Sequence, residues 1–195
     1  MAAVTLVTAV TGTSLAVGDA GADRRVGGYF VKGSIERAYI ATGGQRKWGN
    51  PTSPELAAQK GGRFQRFGSS SFYWHPWADN GTAHQVGGAI RDKWGKAGWE
   101  GGPLGYPVAN ERAIDVPPVA GWFSGLGAGA FNDFQGGSIY WSPGTGAHIV
   151  WGQIRNKWVM AGGYAGAGYG YPITDEYRVG KGFAQDFQRG SISWP

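Results

Sequence analysis

The hydrophobic pattern from 131 to 158 changes its period once, from the spacing of strands to the spacing of a helix. Three short runs are rich in strand-forming residues, and they lie at 131–135, 138–141 and 147–150. Gly136-Gly137 separates the first two runs as a hairpin turn. Ile154, Trp158 and Ala161 then stand at i, i+4 and i+7, on one face of a helix. Gly162 follows, where a helix C-cap favours a positive φ. The stretch predicts a β-meander followed by one short helix.

The same unit recurs along the chain with its landmark residues in the same order. Each predicted helix carries an aromatic residue four positions after an isoleucine, and these aromatics are Tyr39, Trp94 and Trp158. A loop of the form x-Gly-x-Pro follows each helix and ends at Pro51, Pro107 and Pro172. A glutamate stands four residues after each proline, at Glu55, Glu111 and Glu176. A phenylalanine comes next, and seven residues beyond it stand Trp74, Trp141 and Trp194. The recurrence indicates tandem structural repeats.

These repeats predict an α+β, mostly β fold, with one domain over residues 23–195 and three tandem β-meander-plus-short-helix units at about 31–80, 81–145 and 146–195. The last unit contains its first two strands only, and the run 24–31 precedes the first helix without two strands before it. We expect 24–31 to complete the last sheet and close the units into a compact, propeller-like ring, because closure removes an exposed sheet edge. An open arc is the alternative.

The aromatic residues divide into those that recur in every unit and those that do not. The recurring ones, Trp74, Trp141 and Trp194 together with the helix aromatics, are expected in the core, since a slot kept in each unit suits packing. The tryptophans without a tryptophan counterpart in the other units include Trp77, Trp99, Trp122 and Trp151. These are candidates for stacking on a ligand, although single exposed aromatics are also common on surfaces.

The second unit contains an insertion between Glu111 and Phe134 that the other units lack. Trp122 and Phe123 are placed at its tip, and loops that leave a rigid scaffold often carry function. We therefore add Phe123 to the candidate ligand-binding residues. The alternative is a flap that folds back over an apolar patch.

Composition and charge narrow the classes of partner. The 195 residues include no cysteine, which excludes a disulfide framework and thiolate metal sites. The net charge of +5 favours an acidic partner such as an anionic wall polymer, a nucleic acid or a lipid surface, or it serves solubility alone. Residues 1–17 are apolar and uncharged, and the segment 1–22 ends in Ala20-Gly21-Ala22, which predicts a secretion signal, or else an extra strand or tail. The apolar run is too short for a transmembrane segment.

Catalytic patterns are weak. Paired carboxylates can hydrolyse glycosidic bonds, but they need two different environments, whereas three equivalent glutamates offer three similar ones. We expect each glutamate to accept backbone N–H groups from the Gly/Pro-rich loop next to it, which would make the repeat glutamates, prolines and shared tryptophans structural. No histidine pair has helix spacing for zinc, so no metal and no cofactor is expected. No dense basic stripe is present, so no nucleic acid is expected.

The loop Leu104-Gly105-Tyr106-Pro107, the glutamate after it and the strand Gly137-Ser138-Ile139-Tyr140-Trp141 resemble the LGFP repeat. The resemblance covers nearly all of 31–195, with local departures at Trp48, Asn50 and Ser70. It implies an extracytoplasmic, non-catalytic module that holds proteins to the cell envelope. We therefore predict a secreted module, not an enzyme, that binds cell-wall polysaccharide or another envelope glycan through surface aromatics. A wall-glycan hydrolase using Glu111 or Glu176 is one alternative, and a protein–protein adaptor or self-assembling surface subunit is another.

Overall fold

In the computed structural model, which describes residues 23–114, 129–165 and 168–195, four antiparallel sheets alternate with four α-helices. An N-terminal hairpin contains β1 (Arg24–Val26) and β2 (Tyr29–Val31), and α1 (Gly33–Ala41) and α2 (Gly44–Trp48) follow it. The first repeat contains β3 (Leu56–Ala57), β4 (Arg63–Arg66), β5 (Ser70–Trp74), β6 (His84–Gly87) and α3 (Gly88–Lys96). The second contains β7 (Arg112–Ile114), β8 (Gly129–Phe134), β9 (Gly137–Ser142), β10 (Gly146–Trp151) and α4 (Gly152–Met160). The third contains β11 (Tyr177–Val179), β12 (Gly182–Phe187) and β13 (Gly190–Trp194).

The sheets of the three repeats are meanders in which strands pair in chain order, so the predicted mostly β fold with three tandem repeats is confirmed. The hairpin turn in the second repeat is Gln135-Gly136, one residue earlier than predicted, because Phe134 pairs with Gly137. The strand-to-helix junction also needs a special residue. Gly33, Gly88 and Gly152 begin the three long helices with φ of 51°, 48° and 53°, a region that residues with a Cβ rarely adopt.

Three hydrophobic cores lie between a helix and the sheet that follows it in the chain. Ile154 and Trp158 of α4 pack with Phe187 and Ile192 of the third sheet. Ile90 and Trp94 of α3 pack in the same way with the sheet of the second repeat. Ile35 and Tyr39 of α1 pack with the sheet of the first repeat. Each core thus crosses a repeat boundary, so a repeat cannot bury its apolar face without its neighbour.

The predicted ring is not formed by strand pairing in the described residues. The run 24–31 does not complete the last sheet; it folds into its own hairpin, in which Arg24 pairs with Val31, and β13 pairs with β12. Val26 and Val31 pack with Phe67 and Phe72 of the first repeat, and this burial holds the hairpin at that end of the chain. The described residues show neither a closed barrel nor a propeller.

Candidate functional site

The x-Gly-x-Pro loops are fixed by a hydrogen bond that recurs in every repeat. The loop glycines Gly49, Gly105 and Gly170 have φ of 72°, 67° and 72°. Their carbonyl oxygens accept hydrogen bonds from the three helix aromatics: Tyr39 OH at 2.9 Å, Trp94 Nε1 at 3.2 Å and Trp158 Nε1 at 3.0 Å. The prolines then bridge to the strand phenylalanines, as Pro51 to Phe67, Pro107 to Phe134 and Pro172 to Phe187. The motif therefore joins helix, loop and sheet into one unit.

A buried amide stands two residues before each phenylalanine, in the first and third repeats it bonds to the preceding sheet, and sequence reasoning missed it. These amides are Gln65, Asn132 and Gln185, all fully buried. Gln185 Nε2 donates to the Ile149 carbonyl at 2.7 Å and to the Thr174 carbonyl at 2.8 Å. Gln65 makes the equivalent pair of bonds, one of them to the N-terminal hairpin. The signal was present, since an amide recurs at a fixed distance before the phenylalanine.

Among the repeat glutamates, Glu111 lies against the preceding unit and not against its own loop. Glu111 Oε2 accepts the backbone N–H of Gly87 at 3.0 Å, at the entrance to α3. Burial raises the pKa of Glu111, although this N–H offsets part of the rise. Glu55 Oε1 lies 3.9 Å from Arg63 Nε. Glu176 lines a cleft between the second and third repeats, which is described next. The predicted contacts with the adjacent Gly/Pro loop are therefore wrong for Glu111, because the meander turns its carboxylate towards the previous repeat.

Two clefts at repeat boundaries are lined by residues at equivalent positions. The N-terminal cleft has a volume of about 340 Å³, and its lining includes Lys32, Gly33, Ile35, Glu55, Arg63 and Trp74. The C-terminal cleft has a volume of about 430 Å³, and its lining includes Trp151, Gly152, Ile154, Glu176, Phe183 and Trp194. At the boundary between the first and second repeats, Gly87 stands at the position that Lys32 and Trp151 have in the two clefts. The Glu111 carboxylate accepts the backbone N–H of Gly87 there. The two clefts thus share a glutamate and a tryptophan but differ in chemistry: the first is charged and the second aromatic.

The shared aromatics are only partly core, which corrects the sequence-based expectation. Tyr39, Trp94 and Trp158 are buried as predicted. Trp74 and Trp141 are half-buried, and Trp194 is 40% exposed. The reason is geometric: Trp74 and Trp194 line the two clefts and Trp141 packs at the edge of the second core, whereas the helix aromatics lie within the cores.

The unshared aromatics lie in three different environments. Trp77 is 85% exposed in the turn after His75. Trp99 is half-buried, edge-on to Trp94 at 5.4 Å, and its role in this position is packing against the second core. Trp151 is half-buried and lines the C-terminal cleft. Trp122 and Phe123, like the predicted signal segment 1–22, lie outside the described residues.

Charged groups also connect the repeats. Asp175 lies between α3 and β10, where it forms an ion pair with Lys93 and accepts the Ile149 N–H at 2.9 Å. Burial alone would raise the pKa of Asp175, but His148, Lys93 and this N–H outweigh burial and hold the pKa well below its usual range. Within the described ranges, no three His, Asp or Glu side chains gather in a way that could hold a metal ion. Through its bonds to Lys93 and Ile149, Asp175 links the third repeat to the first and the second.

Comparison with protein-family models matches three stretches, 49–102, 104–166 and 170–195, to a model described as LGFP repeat. No curated protein matches the chain. None of the helices in the described part of the chain combines the length and the apolar character that crossing a bilayer requires.

Proposed function

The chain belongs to the LGFP repeat family, and since LGFP repeats are associated with the cell envelope, we propose that it is a secreted, non-catalytic envelope-binding module. Its partner is a cell-wall polysaccharide or another envelope glycan, bound through aromatic side chains at the repeat boundaries. The net charge of +5 attracts anionic polymers of that kind.

The observation that carries the proposal is the C-terminal cleft. Trp151, Phe183 and Trp194 supply apolar ring surface there, and Glu176 supplies hydrogen-bond acceptors for hydroxyl groups. Apolar walls with a few placed polar groups are the usual composition of small-molecule sites, and about 430 Å³ lies within the usual range of about 300 to 1,000 Å³. A pyranose ring offers the matching chemistry, because one face is C–H and the edge is hydroxyl.

The N-terminal cleft supplies a second contact site for the same polymer. A polymer chain that contacts both clefts would be held by two weak sites, and the second contact would be intramolecular. The N-terminal cleft, with Lys32, Glu55 and Arg63, suits a charged or amino-bearing segment of such a polymer. Affinity would then depend on polymer length more than on the identity of a single sugar.

The test is retention of the chain by purified envelope fractions and by size-graded wall glycan. Trp194→Ala removes a 40% exposed ring from the C-terminal cleft, and Glu176→Gln removes its charge. We expect Trp194→Ala to weaken retention by about tenfold or more, as loss of a central aromatic contact does. Trp77→Ala is the matched control, because it removes an exposed ring that is 85% accessible but outside this cleft.

Two results would contradict the proposal. Retention by no fraction would oppose envelope binding itself. Retention that Trp77→Ala abolishes and Trp194→Ala leaves intact would move the site to the turn after His75.

One observation favours the competing hydrolase function, namely that burial raises the pKa of Glu111, as a general acid requires. Release of soluble fragments from wall glycan, abolished by Glu111→Gln in a folded chain, would support that function. We propose instead that Glu111 is structural, because its Oε2 already accepts the Gly87 N–H at 3.0 Å.

A further inference from the structure

A polar cluster recurs where the helix after each meander crosses the sheet. In the second repeat, the Asp133 carboxylate accepts a hydrogen bond from the Ser138 hydroxyl, with 2.5 Å between Oγ and Oδ1. Arg155 of α4 donates from Nε to Ser138 Oγ at 3.1 Å, and its Nη2 lies 3.5 Å from Asp133 Oδ1. The carboxylate therefore neutralises a guanidinium that the helix brings onto the sheet.

The same position is paired at the N-terminal hairpin with the charges exchanged. Glu36 of α1 occupies the helix position of Arg155, one residue after the helix isoleucine. Its partner is Arg24, whose Nε lies 3.1 Å from Glu36 Oε1. Arg24 pairs with Val31 just as Ser138 pairs with Val150, so the two clusters are structurally equivalent. In both places the charged side chain on the helix therefore has a partner of opposite charge on the sheet.

The first repeat lacks this counter-charge. Arg91 of α3 takes the position of Arg155, but Arg66 stands where the second and third repeats have Asp133 and Asp186. The Arg91 guanidinium lies over the Trp99 ring, with Cζ 5.0 Å from the ring centroid. Its Nε is buried and has no hydrogen-bond partner among the described residues. The Tyr73 side chain hydrogen-bonds this guanidinium but brings no formal negative charge to it. Because the sheet supplies no carboxylate at the Asp133 position, the charge of Arg91 favours a carboxylate from outside.

A cavity of about 250 Å³ opens at this place. Its polar lining includes Arg66, Ser69, Ser70, Ser71, Arg91 and Asp92. Two arginines and one aspartate leave a net charge of +1 on the charged lining groups. Asp92 is exposed at the rim, which disfavours groups with several negative charges.

We propose that this cavity, the first-repeat cavity, binds a carboxylate group of a ligand in the place that Asp133 takes in the second repeat. The planar guanidinium fork matches a carboxylate, and Ser71 stands at the position of Ser138, which donates to Asp133. The carboxylate could belong to an acidic sugar or to a peptide terminus, which share this chemistry. The site is separate from both clefts, so its failure and the failure of glycan binding are distinguishable.

The test follows the Nε–H resonances of arginine in the isotope-labelled full chain. Sodium acetate is titrated against sodium chloride at equal ionic strength, followed by glucuronate, an N-acetylated alanine and inorganic phosphate. We expect a saturable shift of the Arg91 Nε–H with acetate and no comparable shift of Arg155, which is already paired. The larger of the two responses to glucuronate and to acetylated alanine identifies the source of the carboxylate.

Arg66→Asp supplies the decisive variant, because it places in the first repeat the carboxylate that the second repeat already has. We expect it to weaken acetate binding by about tenfold or more and to shift the Arg91 resonance before any ligand is added. Arg155→Gln is the matched control and should leave acetate binding unchanged. The proposal is overturned if acetate causes no saturable shift of Arg91, if only phosphate does, or if Arg66→Asp binds acetate as the original chain does.

Discussion

Two equivalent loop tyrosines, Tyr106 and Tyr171, provide a matched test of the packing between repeats. Both side chains are buried, with 1% and 0% exposure, and burial raises the pKa of each hydroxyl to about 12. Tyr106 donates a hydrogen bond to the Gln59 carbonyl in the preceding repeat. The Tyr171 hydroxyl has no partner among the described residues. Replacing each by phenylalanine removes one oxygen from the same position with opposite consequences.

The magnitudes follow from what each oxygen contacts. Tyr106→Phe loses a hydrogen bond whose net contribution is about 0.5–1.5 kcal/mol, and it leaves the Gln59 carbonyl with only the long bond from the Gly62 N–H, at 3.4 Å. Tyr171→Phe removes a buried hydroxyl whose desolvation cost of about 1–3 kcal/mol no described residue compensates, so we expect unchanged or higher stability. For a chain of this length, about 1 kcal/mol corresponds to about 2–4 °C in Tm.

Urea and thermal unfolding, followed by tryptophan fluorescence, measure both effects in the full chain. We expect Tyr106→Phe to lower Tm by several degrees relative to Tyr171→Phe. The slope of the unfolding free energy against urea concentration should be the same in both variants. Equal losses in the two variants would refute the reasoning, because they would show that the rings alone determine the stability of these loops.

Other substitutions test single contacts. Gly129→Ala places a Cβ 2.7 Å from the Trp141 carbonyl oxygen, so we expect a loss of about 1–3 kcal/mol in urea unfolding; no loss would mean that the backbone yields there. Asp175→Asn removes a carboxylate whose pKa is held low in the folded chain, a contribution present above about pH 4 and lost as pH falls through the lower folded pKa. Its side chain is 42% exposed, so we expect a loss of about 1 kcal/mol or less at pH 7 and a flatter acid limb in pH-dependent unfolding; parallel pH curves would oppose this. Glu111→Gln keeps an acceptor for the Gly87 N–H and removes a carboxyl whose pKa is raised by burial. Stability at pH 7 should therefore be unchanged or higher in urea unfolding. A loss of several kcal/mol would mean that the charge is required.

The amino-acid sequence by itself determined the repeats, the meander-plus-helix unit and the burial of the helix aromatics. Each depends on neighbours within a few positions: strand and helix periods, turn residues, and a glycine such as Gly162, whose φ is 92° in the structure. Local geometry of this kind can be read from spacing because it repeats wherever the same residues recur.

The tertiary structure alone decided which unit each recurring position of the repeat contacts. The 24–31 run pairs with itself, Glu111 reaches back to Gly87, and Trp194 remains exposed beside Phe183. These outcomes depend on which face of one unit meets the next, and spacing within a unit carries no information about that. Arg91 shows the same limit: its sequence position is ordinary, and only the missing carboxylate across the boundary between helix and sheet makes it a candidate site.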